Sequence, residues 1–206
     1  NGPRLRACLS SRTVLAVAAL AVLGDVMSNK SRLVVFGCGY WGRNHVRTLS
    51  ELGVLAGVAD QDAAAARALA EKHDVPVLSL DAVFADNAID AVVLALPAQS
   101  HASMAQQAIA SGKHVFVDKP MALTVADAQA MVDAAAQAGK VLMTGHILRY
   151  QNAFAAVMKL VSDGTLGEIK YVQSHRLGFG KFHVKFDALW DLAPHDLSLL
   201  LSVLGR

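Results

Sequence analysis

The stretch Leu33–Gly42, LVVFGCGYWG, limits the possible folds more than any other part of the chain. A short apolar run, Leu33 to Phe36, breaks into Gly37-x-Gly39-x-x-Gly42, and Val46, Leu49 and Leu52 follow on one helical face. Each glycine has a mechanical task. The first allows a tight turn, the second lets backbone approach a pyrophosphate, and the third lets the helix pack closely on the strand. The helix start then offers unpaired N–H groups and a partial positive charge to phosphates. Asp60 closes a second apolar run, Val54 to Ala59, about 20 residues on, where an acidic group meets the ribose hydroxyls. Strand, glycine turn, helix and acid together predict a dinucleotide site.

Downstream, apolar runs at 32–36, 54–59, 75–78, 91–96, 114–117 and 140–144 read as six strands. They do not alternate with polar residues, as expected of strands buried on both faces of a parallel sheet. Helical segments lie between them: the Ala-rich Asp62–His73, Ser100–Ser111 with His101, Met104, Ala105, Ala108 and Ile109 on one stripe, and Thr124–Ala138, capped by Thr124 and ended by Gly139. This pattern predicts an α/β fold, a doubly wound parallel-sheet domain over residues 31–145. After Gly145 the pattern changes. Gln151–Val161 reads as an amphipathic helix, Glu168–Arg176 as a strand, and Pro194 as the opening of a last Leu-rich helix. One strand and two helices cannot bury their own apolar faces. Residues 146–206 are therefore expected to be the incomplete start of a second, substrate-binding and oligomerising domain.

Residues 1–30 stand apart. Arg4, Arg6 and Arg12 precede the ten apolar residues Val14–Leu23, too few to span a bilayer. The segment is expected to be an extension outside the fold, Met27 standing where a start would sit. A secretory signal, and hence a periplasmic or secreted protein, is the alternative for residues 1–26. Net charge is +2, with no basic run to suggest nucleic acid, and no membrane partner is expected. Two cysteines, Cys8 and Cys38, cannot make a disulfide framework, which fits a cytoplasmic setting.

Two places could carry chemistry. Asp118-Lys119-Pro120 follows the run His114–Val117, at the strand end where an open parallel sheet binds ligands, and its proline could be cis. Asp191-x-x-Pro194-His195-Asp196 puts an imidazole near a predicted helix start, where the dipole favours its neutral form, with Asp191 or Asp196 to orient it. An ammonium and a neutral imidazole meet the two needs of alcohol oxidation: a less costly alkoxide and a base for the hydroxyl proton. No Cys/His cluster has metal-ligand spacing. Asp60 is followed by Gln61 and Asp62, with no cation to meet a 2′-phosphate, so NAD is favoured over NADP.

Gly37-Cys-Gly39-Tyr40-Trp41-Gly42, Leu96-Pro97 through His101, Asp118-Lys119-Pro120, Gly145-His146 through Arg149-Tyr150, and Asp191 to His195 form an ordered set. Over Ser31–Arg206 this set resembles the Gfo/Idh/MocA oxidoreductases, the glucose–fructose oxidoreductase and inositol dehydrogenase relatives. The resemblance implies Lys119, Asp191 and His195 as the catalytic group. It implies cofactor contacts from Gly37, Gly39, Tyr40, Trp41, Gly42, Asp60, Leu96, Pro97, His101, Asp118 and Lys119. It further implies a second domain built on an open, mostly antiparallel sheet, a homo-oligomer at full length, and a sugar substrate. The tail SHRLGFGK…ALWDLAPHDLSLLL is similar to members acting at C3 of UDP-linked N-acetylated sugars or their uronic acids. Arg149, Tyr150 and Arg176 are candidate contacts for a carboxylate or phosphate. Asp118 stands where the family has Glu, and Ser198 where it often has Asp. A chain holding only the opening of the second domain is expected to bind NAD weakly and turn over little. A non-catalytic, redox-sensing NAD module and an inactive fragment are the competing readings.

Overall fold

In a computed structural model of the chain, which describes residues 31–176 and 188–205, the unalternating apolar runs become parallel strands. They are β1 (Leu33–Phe36), β2 (Leu55–Ala59), β3 (Ala91–Leu94), β4 (His114–Val117) and β5 (Leu142–Thr144). Their order across the sheet is β2-β1-β3-β4-β5. Leu33 and Val35 of β1 point into one core with Val46, Leu49, Ala66 and Leu69. Val34 and Phe36 point into the other with Val83, Ala105, Ile109 and Met131. Both faces of the sheet are thus covered, which is why β1 is apolar at every position.

The helices are α1 (Tyr40–Glu51), α2 (Ala63–His73), α3 (Leu80–Ala85), α4 (His101–Ala110), α5 (Val125–Ala138), α6 (Asn152–Ser162) and α7 (Ala188–Val203). The predicted caps are present. Asp62 accepts from the N–H groups of Ala64 and Ala65, Thr124 accepts from that of Asp127, and Gly139 ends α5 in the left-handed conformation. The short α3 lies outside every predicted helix; Ser79 caps it through the N–H of Ala82.

Three expectations are corrected. The run 75–78 makes only an isolated bridge, Val58 to Val77, rather than a sixth strand. Val58 N–H donates to the Pro76 carbonyl and Leu78 N–H to the Val58 carbonyl, but Pro76 has no N–H to extend the ladder. Glu168–Arg176 carries no strand, because no neighbouring strand among the described residues pairs with it. Pro194 does not open the last helix. It lies inside α7, six residues beyond Ala188.

Among the described residues no helix is long and apolar enough to cross a membrane. The readings of residues 1–30, with Cys8, lie outside the described residues.

Candidate active site

In an open parallel sheet the loops leaving the strand C-termini meet around one crevice. Here those loops hold Gly37 and Gly39 after β1, Asp60 and Gln61 after β2, and Leu96 and Pro97 after β3. All six line a cleft of about 460 Å³, with Leu78, Leu80 and Met104 as an apolar wall. Gly37 has φ +99°, and a Cβ there would meet the Ala95 carbonyl oxygen at 2.3 Å. At Gly42 a Cβ would sit 1.8 Å from the Gly37 carbonyl oxygen, so the helix could not lie where it does. Gly39 differs: open space surrounds its missing side chain. It is the N-cap of α1 and makes no side-chain cap bond, and no acidic residue stands in the first turn. The first-turn N–H groups of a helix lack intrahelical partners, and beside the uncluttered Gly39 they could hold a pyrophosphate, so the residues fit a dinucleotide.

Asp60 does more than wait for a ribose. One carboxylate oxygen accepts from the Cys38 N–H inside the glycine turn, and the other from the Asp62 N–H at 2.8 Å. Among the described residues, the cleft lining contains no lysine or arginine. Cys38 is buried, and burial together with the nearby Asp60 charge pushes its thiol up to about 11. It is therefore a packing residue of the turn, not a nucleophile.

A second, smaller cavity of about 20 Å³ lies at the next strand end. Trp41, Asp118, Lys119, Gly145, Ile147 and His195 line it. The ammonium and the imidazole singled out above thus reach one space from β4 and α7. Lys119 Nζ donates to the Asp191 carboxylate at 2.7 Å and to the Asp191 backbone carbonyl at 2.6 Å. The Lys119–Pro120 peptide is cis.

His195 is pushed down to about 4, first by burial and then by the charges of Lys119, Arg176 and His146; Asp196 opposes them. It is neutral at physiological pH, but the cause is not a helix start, since His195 lies inside α7. Its Nδ1 is buried without a hydrogen-bond partner among the described residues, as is that of His146. Asp196 does not orient His195 by a hydrogen bond. Its oxygens take Arg176 Nε at 2.6 Å, Arg176 Nη2 at 3.0 Å and Ser174 Oγ at 3.0 Å. Arg176 is accordingly held by this pair.

The remaining candidates are spread around these cavities. Tyr40 is exposed and stands edge-on to Trp41. Arg149 and Tyr150 sit on the short 3-10 turn Ile147–Tyr150, outside the linings of both cavities. His101 is 1% exposed. Its ring nitrogens lie 2.8 Å from the Pro120 carbonyl and 2.9 Å from that of Leu96, so it ties two cleft loops together from beneath. Sequence reasoning missed His45, and it named His146 only within the motif Gly145–Tyr150. His45 could have been found, because it precedes Leu49 by one helical turn on the buried face of α1. Among the described residues no group of His, Cys, Asp or Glu could hold a metal.

Known proteins resemble this chain in sequence and in fold. The chain is 32% identical over 176 residues to the UDP-N-acetylglucosamine 3-dehydrogenase of Acidithiobacillus ferrooxidans, covering 84% of this chain and 54% of that one. It is 33% identical to the inositol 2-dehydrogenase of Rhizobium meliloti, covering 68% of this chain and 43% of the relative. The chain thus spans about half the length of these curated relatives. A solved structure of the A. ferrooxidans enzyme superposes with a TM-score of 0.77 at 31% identity, over 85% of this chain and 57% of that one. GenD2 from gentamicin A biosynthesis, solved in complex with NAD, gives 0.75 at 27% identity, over 87% and 55%. The profile described as "oxidoreductase family, NAD-binding Rossmann fold" matches residues 31–146. The chain therefore belongs to the Gfo/Idh/MocA oxidoreductase family, and this matched region is its NAD-binding Rossmann domain.

Proposed function

We propose that the protein oxidises a secondary hydroxyl of a sugar or nucleotide sugar, with NAD rather than NADP as its partner. The observation that carries this reading is the small cavity that Lys119 and His195 line together, beside the dinucleotide cleft. NAD, when bound in that cleft, supplies the hydride acceptor. The chain's own residues manage the proton. Lys119 Nζ donates to the hydroxyl oxygen and makes its growing negative charge less costly. His195, whose buried Nδ1 has no hydrogen-bond partner among the described residues, accepts the proton. Asp191 holds the lysine in place through two acceptors. The preference for NAD is supported by Asp60 and by a cleft lining without cations, since a 2′-phosphate would meet only a carboxylate.

Residues 31–145 are the cofactor domain in this reading, and 146–206 open a substrate-binding and oligomerising domain with an open, mostly antiparallel sheet. The exposed apolar side chains Val157, Leu189, Leu197 and Leu201 on α6 and α7 support such a covering sheet. The sugar class is supported by the relatives' names, and a reducing, cytoplasmic setting by the free thiol of Cys38.

The test separates binding from chemistry in Lys119→Ala. Single-turnover oxidation of a panel of sugars and UDP-sugars, with protein in excess over NAD, should fall about 100-fold or more, while NADH affinity stays within about threefold. Undiminished oxidation would refute the role of Lys119. If no member of the panel is oxidised by the unaltered protein while NADH still binds, a redox-sensing module or an inactive fragment takes its place.

A further inference from the structure

His45 has no part in the proton chemistry, yet it is 8% exposed and its ring is committed to the site. Its Nε2 lies 3.0 Å from Asp118 Oδ1. A carboxylate only accepts, so Nε2 carries the proton of this bond. The ring also stands edge-on to Phe116 with centroids 5.4 Å apart. The same Asp118 oxygen is lodged against Gly145: a Cβ there would come within 3.2 Å of Oδ1 and 3.0 Å of Phe116 Cζ. Asp118 N–H donates to the Leu94 carbonyl at 3.0 Å. The backbone of Asp118 is therefore set by β3 and its carboxylate by α1. Lys119 comes next, and the Pro120 carbonyl beyond it is met by His101. Two imidazoles thus grip the Lys119 turn from either side. One of them rides on α1, the helix whose first turn closes the anion cradle.

We propose that His45 is a positioning residue: through Asp118 it locks the Lys119 turn to the helix that seats the pyrophosphate. Phosphates and ammonium then share one rigid frame, and the nicotinamide end of the cofactor meets a turn already in register. This inference rests on the dinucleotide reading above. Its effects belong to the nicotinamide end. Adenosine diphosphate lacks that end, so its affinity should depend on the cradle and not on the Lys119 turn.

The experiment compares ADP and NADH, by calorimetry and by nicotinamide fluorescence, in His45→Leu and His45→Gln. Glutamine places an amide nitrogen the same number of bonds from Cα as Nε2. His45→Leu should weaken NADH about tenfold, as expected for losing a hydrogen bond to a charged group, and leave ADP within about twofold. His45→Gln should restore most of the NADH affinity. In an Asp118→Ala background, His45→Leu should bring no further loss. If His45→Leu does not fold, Asp118→Asn against Asp118→Ala tests the same link, Asn keeping the acceptor and the affinity. Equal losses of ADP and NADH, or an undiminished effect of His45→Leu beside Asp118→Ala, would show a merely structural role and overturn the proposal. Unchanged NADH affinity in His45→Leu, or in Asp118→Ala, overturns it as well. Failure of the unaltered protein to bind either nucleotide would instead remove the dinucleotide reading on which it rests.

Discussion

Gly42→Ala should separate the packing of the glycine turn from its binding role when set beside Gly39→Ala. A methyl group at Gly42 would lie 1.8 Å from the Gly37 carbonyl oxygen, where real Cβ contacts stay beyond 3.0 Å, so turn and helix must part by at least about 1.2 Å. Both partners are backbone, and neither can rotate away. Overpacking costs up to about 3 kcal/mol where only backbone can yield, and the roughly 1 kcal/mol that alanine gains inside a helix leaves a net loss of about 2 kcal/mol. At about 2–4 °C per kcal/mol for a chain of this size, Tm should fall by roughly 4–8 °C. The first turn of α1 moves with the helix, so NADH affinity should fall as well. Gly39→Ala meets nothing within 4 Å, so its Tm should stay unchanged while its methyl group intrudes on the cradle. A loss of NADH affinity of about tenfold or more is expected there. Thermal denaturation and calorimetric titration of the two variants give both numbers. An unaltered Tm for Gly42→Ala would refute the packing argument, and full NADH affinity in Gly39→Ala would refute the position given to the pyrophosphate.

Further outcomes follow from the electrostatics. His195 has its pKa lowered to about 4 from 6.5. Between those values the unfolded chain binds a proton that the folded chain does not, so stability present above pH 6.5 declines as pH falls through the window. The decline should be roughly 2 kcal/mol after screening at a partly exposed site, and denaturant melts of His195→Gln should show that part of the slope removed. Arg176→Ala removes a cation that lowers His195 and frees Asp196, which raises it. The His195 titration followed by NMR should therefore move upward, and a downward movement would contradict the pairing. Cys38, buried with its thiol pushed up to about 11, should resist alkylation in peptide mapping until the chain is unfolded by guanidinium.

What could be read from the sequence was whatever a local pattern controls. The strands showed themselves because burial on both faces leaves no polar position, as in Leu33–Phe36. The helix limits at Asp62, Thr124 and Gly139 showed themselves through side-chain caps and a left-handed terminus. The six residues of α3 are too few for a helical period to register. Pro194 misled because proline usually belongs to a helix's first turn, whereas here it stands deeper in α7. The cavity shared by Lys119 and His195 follows from two motifs far apart in the chain. What motifs could not give was the wiring between side chains. Spacing placed Asp196 beside His195, but the carboxylate turns to Arg176. Nothing in the order of residues linked His45 to Asp118, 73 positions away.

The interrupted run at Val75–Leu78 has a consequence for how the molecule behaves in a crowd. Strands at the margin of a sheet present unpaired backbone groups that can recruit another chain. On one margin the run 75–78 makes only an isolated bridge, because Pro76 has no N–H to lengthen its ladder with β2, and on the other β5 is only three residues long. These two defects keep the described sheet from extending itself across molecules. Replacing Pro76 by valine would mend the ladder and, by the same act, lay down a template for aggregation.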